Sequence, residues 1–210
     1  LYYVEYRLSL YSDVLDPVCV SFMKSPDEEL RTEAAAIEIG THPENSEAIA
    51  IIRAGTSSKS VGVRNESISA LAGYSRMTQN DRMVIVGAIG DPDQNIDYTA
   101  ASAADNMKLG VEFVPLLSKL MTYKNPSVRS NAASLLGKIQ GSQVSEILIS
   151  YLNDPDQNVQ YTVDSILSDR KLSTIELDAL LKILDCDQAN ARSNAASLIG
   201  KIEGQKATDI

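Results

Sequence analysis

The chain has 210 residues, of which 44% are hydrophobic but only 5% aromatic, with no Trp. Its formal charge of -9 comes from 19 basic and 28 acidic residues, and no Lys/Arg cluster of five or more occurs, which excludes the net electrostatic footprint of a phosphate-backbone binder. No apolar run reaches the ~18 residues needed to span a bilayer, so neither a nucleic-acid nor a membrane partner is expected.

Taken in chain order, Leu1 to Tyr11 fits a partial N-terminal helix, the second half of a unit whose first half is missing. Ser25-Pro26-Asp27 then gives a turn and a helix start, because Asp, Asn or Ser beside Pro supplies a cap and a first-turn residue that needs no N–H. The segment SEAIAIIRAG from Ser46 reads as the first helix of the next unit. DRMVIVGAIG from Asp81 follows, ended by Asp91-Pro92-Asp93, and a further second helix starts at Asn125-Pro126-Ser127. In that helix Val128, Ala132, Leu135, Leu136 and Ile139 recur at helical spacing. VSEILISYL from Val144 leads to Asp154-Pro155-Asp156, and STIELDALLKIL from Ser173 leads to Asp185-Cys186-Asp187. Gly141 and Gly204 fall where left-handed helix caps are expected. Residues 205–210 align with the start of a further first helix.

These elements repeat. A polar anchor stands at Arg31, Arg64, Asp97, Arg129, Gln160 and Arg192, at spacings of 33, 33, 32, 31 and 32 residues. A fixed period in this range means stacked units, none able to bury its apolar face alone. The units run over about 12–45, 46–78, 79–109, 110–141, 142–171 and 172–204, with no composition shift to divide the array. Two-unit blocks recur as well. DPDQNIDYT is echoed by DPDQNVQYT, and SVRSNAASLLGKIQG by NARSNAASLIGKIEG, so Asp97 to Gln160 and Arg129 to Arg192 are each 63 residues apart. The scarcity of aromatics suits cores of closely packed Ala, Leu, Ile and Val.

The string from Asn125 to Gly137, turn Pro followed by Val-Arg, Ala-Ala and Leu-Leu-Gly, resembles HEAT repeats. The short period is closest to bacterial HEAT-like repeats, which also occur in phycobilisome-lyase-type proteins. The resemblance covers nearly the whole chain and implies an all-α, right-handed α-α superhelix, or solenoid, of about six two-helix repeats. In such families the anchor Arg pairs with turn acids and ties neighbouring units. Here that implies a ladder of Arg31, Arg64, Arg129 and Arg192 with Asp27, Asp93, Asp156 and Asp187. Asp97 and Gln160 interrupt it.

Opposite the apolar side of the second helices lies a row of small polar groups, Ser130, Ser134, Ser193 and Ser197, broken by Tyr98 and Tyr161. These six are the candidate protein-binding residues, since exposed Tyr offers large contact area at low entropic cost.

Chemistry is poorly supported. His42, the only histidine, stands in a loop sequence. Neither Cys19 nor Cys186 has a neighbouring His, no metal-ligand spacing occurs, and no glycine-rich phosphate loop is present. No cofactor is expected. The two cysteines lie about five repeats apart, too far to bridge within one extended array, which suits a reducing, cytoplasmic compartment. The first residue, Leu1, leaves room for a removed leader. The function expected is a non-enzymatic scaffold or adaptor that binds another protein along one face. The alternative that the resemblance implies is a bilin (tetrapyrrole) lyase or chaperone-like subunit. A HEAT-like DNA glycosylase fits less well, as it calls for a basic face with Trp. The Tyr-rich start (Tyr2, Tyr3, Tyr6, Tyr11) is a candidate for end-to-end self-association.

Overall fold

The computed structural model describes residues 12–208, and every regular element among them is helical. Leu1 to Tyr11, with the expected partial helix and sticky end, lies outside the described residues. Two compact units divide the chain, Leu1–Asn106 and Met107–Ile210, at a point that composition leaves unmarked.

Among the described residues the first unit holds three helix pairs: α1 (Ser12–Phe22) with α2 (Glu28–Thr41), α3 (Ser46–Gly55) with α4 (Val61–Gly73), and α5 (Gln79–Gly87) with α6 (Gln94–Asp105). The second also holds three: α7 (Val114–Leu120) with α8 (Pro126–Gly137), α9 (Ser142–Ser150) with α10 (Gln157–Asp169), and α11 (Leu177–Ile183) with α12 (Ala189–Thr208). Short 3-10 turns extend α5 and α9 and precede α7.

Helix starts follow local capping chemistry. Asp27, Asn45, Ser60, Asp93, Asn125 and Asp156 each accept a hydrogen bond from the first-turn N–H groups of their own helix. Thr78 and Asp81 form a reciprocal capping box, so α5 begins two residues before the expected Asp81. Helix α11 begins later than its expected Ser173, because the Glu176 carboxylate accepts from both the N–H and the hydroxyl of Ser173 and holds a turn there.

The cores are aliphatic. Ile52, Ile68, Leu71, Ile85, Ile89 and Ile96 are fully buried in the first unit, and Leu117, Leu136, Leu148, Val159 and Leu167 in the second. Each such side chain contributes about 1.5–3 kcal/mol over leaving it exposed. Ala34, Ala100, Ala132 and Ala195 recur three residues after the anchor and are buried, which lets neighbouring helices approach closely. Gly55 serves the same end: a Cβ there would collide with the Ser67 side chain of the partner helix α4.

Two glycine expectations part company. Gly141 does adopt positive φ, at 128°, and turns the chain into α9. Gly204 does not cap: α12 runs through it to Thr208, so no separate helix starts at 205. At the matching turn of α8 the carbonyls of Gly137, Ile139 and Gly141 are taken by the Arg170 guanidinium from the following pair.

One core position breaks the repeat. Glu38 stands where Leu71, Ala104, Leu136 and Leu167 fill the core, and it too is buried. Its Oε1 accepts from the Asn45 side chain at 2.8 Å, whereas Oε2 has no hydrogen-bond partner among the described residues. A half-satisfied buried carboxylate costs more than it returns. Glu38→Leu is therefore expected to raise stability by about 1–2 kcal/mol in urea unfolding. A clear loss instead would mean that the tie to Asn45 outweighs the orphaned oxygen.

Candidate functional site: the outward face of the second helices

The anchor residues frame this face. Each anchor arginine sends Nη1 back to carbonyls of its own turn: Arg31 to Ser25, Arg64 to Ser58 and Lys59, Arg129 to Tyr123 and Lys124, Arg192 to Cys186 and Asp187. The rest of the fork reaches the next pair in two cases. Arg64 grips Asp91 at 2.8 and 3.0 Å, and Arg129 grips Asp154 at 2.8 and 2.7 Å, both bidentate.

The expected acids are displaced by two residues. Asp93 and Asp156 are not the arginine partners; they cap their own helices, as does Asp27, while Asp187 contributes its backbone carbonyl to Arg192. In each Asp-Pro-Asp turn the second acid serves the helix that follows it. The first acid is left to face the preceding second helix. The doubled acid was the available signal, since one carboxylate suffices for a cap. Gln160 imitates the arginine by donating to the Asp154 carbonyl and to the Gln188 side chain. Asp97 is buried at its anchor position.

A second tie has no counterpart in the sequence pattern. Arg53 on α3 forms a bidentate pair with Asp81 on α5, both bonds 2.8 Å, and Asp81 is buried. Burial pushes the Asp81 carboxyl up, but Arg53 and the bonds from Thr78 outweigh it and hold the group below its ordinary value. At Asp91 burial likewise acts upward and is outweighed by Arg64 and the Asp93 N–H. Because both folded values lie below the unfolded one of about 3.9, their stabilisation is complete above that pH and is lost as pH falls through the folded values. Acid titration followed by far-UV circular dichroism should show unfolding of the parent below about pH 4, with the acid limb flattened in Asp81→Asn and Asp91→Asn.

The face itself is mostly self-satisfied. Ser130 bonds Thr162 of the next second helix at 2.9 Å, and Ser134 donates to the Ser130 carbonyl. Asn65 and Thr99 repeat the first tie in the other unit at 3.3 Å. Ser130 is thus a rung between helices before it is a contact residue; sequence spacing placed it on the outward side but could not show its neighbour. Ser193 and Ser197 are exposed. Tyr98 and Tyr161 stand one residue after their anchors, one in each unit, and each is 76% exposed. The other exposed large hydrophobics of the second helices, Ile37 and Val61, are far less exposed, at 38% and 43%.

An open cleft of about 570 Å³ in the second unit is lined by residues including Gly141, Ser145, Arg170 and Glu176. Arg170 is committed there to three carbonyls and the Ser145 hydroxyl. Burial lowers its guanidinium from the ordinary value, and Glu176 acts against that. Among the described residues no three His, Cys, Asp or Glu side chains are placed to hold a metal ion. His42 lies beside Glu38, with Nδ1 3.6 Å from the carboxylate. No disulfide involves Cys19, which is buried, or Cys186, which is half-buried. No helix among the described residues is long and apolar enough to cross a membrane.

Helix pairs in series, bound by anchor arginines, define an all-α repeat protein. Residues 83–168 match the family model for HEAT repeats. Among solved structures it is similar to an engineered protein from a structural genomics consortium, with 19% identity, 91% of this chain and 97% of that chain covered, and a TM-score of 0.51. It is also similar to computationally designed armadillo repeat proteins for modular peptide recognition (15% identity, 88% and 98% covered, TM-score 0.49). An archaeal HEAT-like repeats protein from Thermococcus onnurineus NA1 shares 16% identity over 85% of this chain and 81% of that one, with a TM-score of 0.46. No curated protein sequence matches the chain.

Proposed function

We propose that this chain is a non-enzymatic interaction scaffold that binds another protein along the outward face of its second helices. The observation that carries this reading is the pair Tyr98 and Tyr161, each 76% exposed at the same place in its repeat, on a face whose other polar groups largely bond one another. Large amphipathic rings in solvent offer contact area with few rotamers to freeze. A face already braced by its own ties also pays little ordering entropy on docking. The acidic chain favours basic or neutral partners and faster association with them at low salt.

The test is affinity capture from the source organism's lysate with the parent chain and with Tyr98→Ala/Tyr161→Ala, followed by cross-linking mass spectrometry. A protein cross-linked to α6 or α10 in the parent and lost from the variant supports the reading. Capture by both baits with cross-links confined to the first helices would move the site off this face.

A further inference from the structure

The cleft of about 570 Å³ in the second unit lies where the end of α8, the start of α9 and the turn after α10 meet. Its volume falls within the range of about 300–1,000 Å³ that small-molecule sites occupy. All of its lining comes from residues 134–176, so the cleft is complete within that unit.

Its charges are balanced in number but not in space. Asp169, Arg170, Lys171 and Glu176 all line it, two of each sign. None of the four forms an ion pair with a described residue. Arg170 is half-buried and spends its fork on three carbonyls and a hydroxyl, neutral acceptors that fix the side chain but leave its charge unanswered. Those bonds use four of the five guanidinium N–H groups, and one on Nη2 is left over. The burial that lowers this guanidinium from its ordinary value is a cost that a nearby anion would relieve.

Glu176 supplies the opposite end. It is 4% exposed, and its Oε2 accepts from the Ser173 N–H and hydroxyl. Its Oε1 has no hydrogen-bond partner among the described residues, yet is not sealed in as Glu38 Oε2 is, so it opens on the cleft. The start of α9 adds donors on the cationic side. Gly141, at a φ of 128°, has no side chain with which to cap the helix, and the N–H groups of Ser142 and Gln143 have no acceptor among the described residues. Ser142 lines the cleft.

A lone anion in this space would meet Asp169 and Glu176, and a lone cation would meet Arg170 and Lys171. A ligand bearing both charges satisfies both ends. We infer that the cleft binds a small zwitterion of the amino-acid class, its ammonium toward Glu176 and Asp169 and its carboxylate toward Lys171 and the start of α9. A free amino acid and a short peptide share this chemistry. The seat lies apart from Tyr98 and Tyr161, so its failure would leave the scaffold reading untouched.

The test titrates the full chain, followed by amide shifts in proton–nitrogen correlation spectra. Glycine and glycylglycine are the zwitterions; N-acetylglycine lacks the ammonium and glycinamide lacks the carboxylate. At least one zwitterion is expected to shift the amides of Ser142, Lys171 and Glu176 saturably below about 10 mM, and each single-charge probe to bind about tenfold more weakly. Tighter binding of glycine points to a free amino acid, and of glycylglycine to a short peptide. Lys171→Gln and Glu176→Gln should each weaken the zwitterion about threefold or more. Lys171 is exposed, and Gln at 176 keeps an oxygen for Ser173, so thermal melting of both variants should match the parent and separate lost charge from lost fold. No saturable shift from either zwitterion overturns the inference. So does binding of N-acetylglycine or glycinamide as tight as that of the zwitterions, or zwitterion binding indifferent to both variants.

Discussion

Asp154→Ala is expected to lower the stability of the chain by about 3–5 kcal/mol, because it strands a buried cation. Arg129 and Asp154 are both more than nine-tenths buried and meet in a bidentate pair at 2.8 and 2.7 Å. Asp154 also accepts from the Asp156 N–H at 2.8 Å, so the same carboxylate shapes the turn before α10. Without it the guanidinium keeps only the Tyr123 and Lys124 carbonyls. Exposure decides the size of the effect. Arg53, whose side chain is 41% exposed, pairs with Asp81 at similar distances, yet water can take up the guanidinium that Asp81→Asn leaves behind. That variant should cost about 1 kcal/mol. Replacing both buried partners, Arg129→Met with Asp154→Leu, should recover most of the loss, since no charge is then left desolvated. Urea unfolding of the single and double variants checks this. An Asp154→Ala cost under about 1 kcal/mol would show that the pair is far better hydrated than its burial implies.

The second large effect is expected at Arg170. Its fork donates to the carbonyls of Gly137, Ile139 and Gly141 and to the Ser145 hydroxyl, at 3.0 to 3.2 Å. Three of these acceptors lie at the end of α8 and in the turn after it, where helix carbonyls lack partners of their own. Arg170→Ala should cost about 2–4 kcal/mol, as several charge-assisted bonds go at once. It should also let α8 lengthen, as α12 does. Carbon chemical shifts of Lys138 to Gly141 turning helical in the variant would show this, whereas a turn left intact would mean that Gly141 breaks the helix unaided. The sequence around Arg170 gave little notice of this role. The corresponding position of the first unit holds Tyr74, whose hydroxyl likewise donates to a loop carbonyl of the preceding pair, that of Pro43. The device is shared although the residue type is not.

Much of the candidate site could be read without coordinates. The period placed Tyr98 and Tyr161 on the outward side, and both prove to be exposed. What escaped were the partners across the seams. Ser130 was visible as a small polar residue facing out, but the Thr162 hydroxyl that occupies it comes from 32 residues further on. From the sequence Asp91 and Asp154 read as turn residues, and the resemblance to HEAT repeats implies Asp93 and Asp156 as the arginine partners instead.

By itself the sequence determined whatever depends on residues within a helical turn of one another. Pro and Asp set the helix starts, apolar spacing set which side is buried, and Ala three residues after four of the six anchors set how closely helices approach. Only the tertiary structure decided contacts between pairs, which join residues some 25 to 34 apart, such as Arg129 to Asp154 and Asn65 to Thr99. The two near-identical strings around Gly137 and Gly200 show the difference. One helix stops at Gly137, where Arg170 takes its carbonyls; the other continues to Thr208. A helix end leaves carbonyls that something must satisfy, and where that partner comes from a later repeat, the local string cannot tell where the helix will stop.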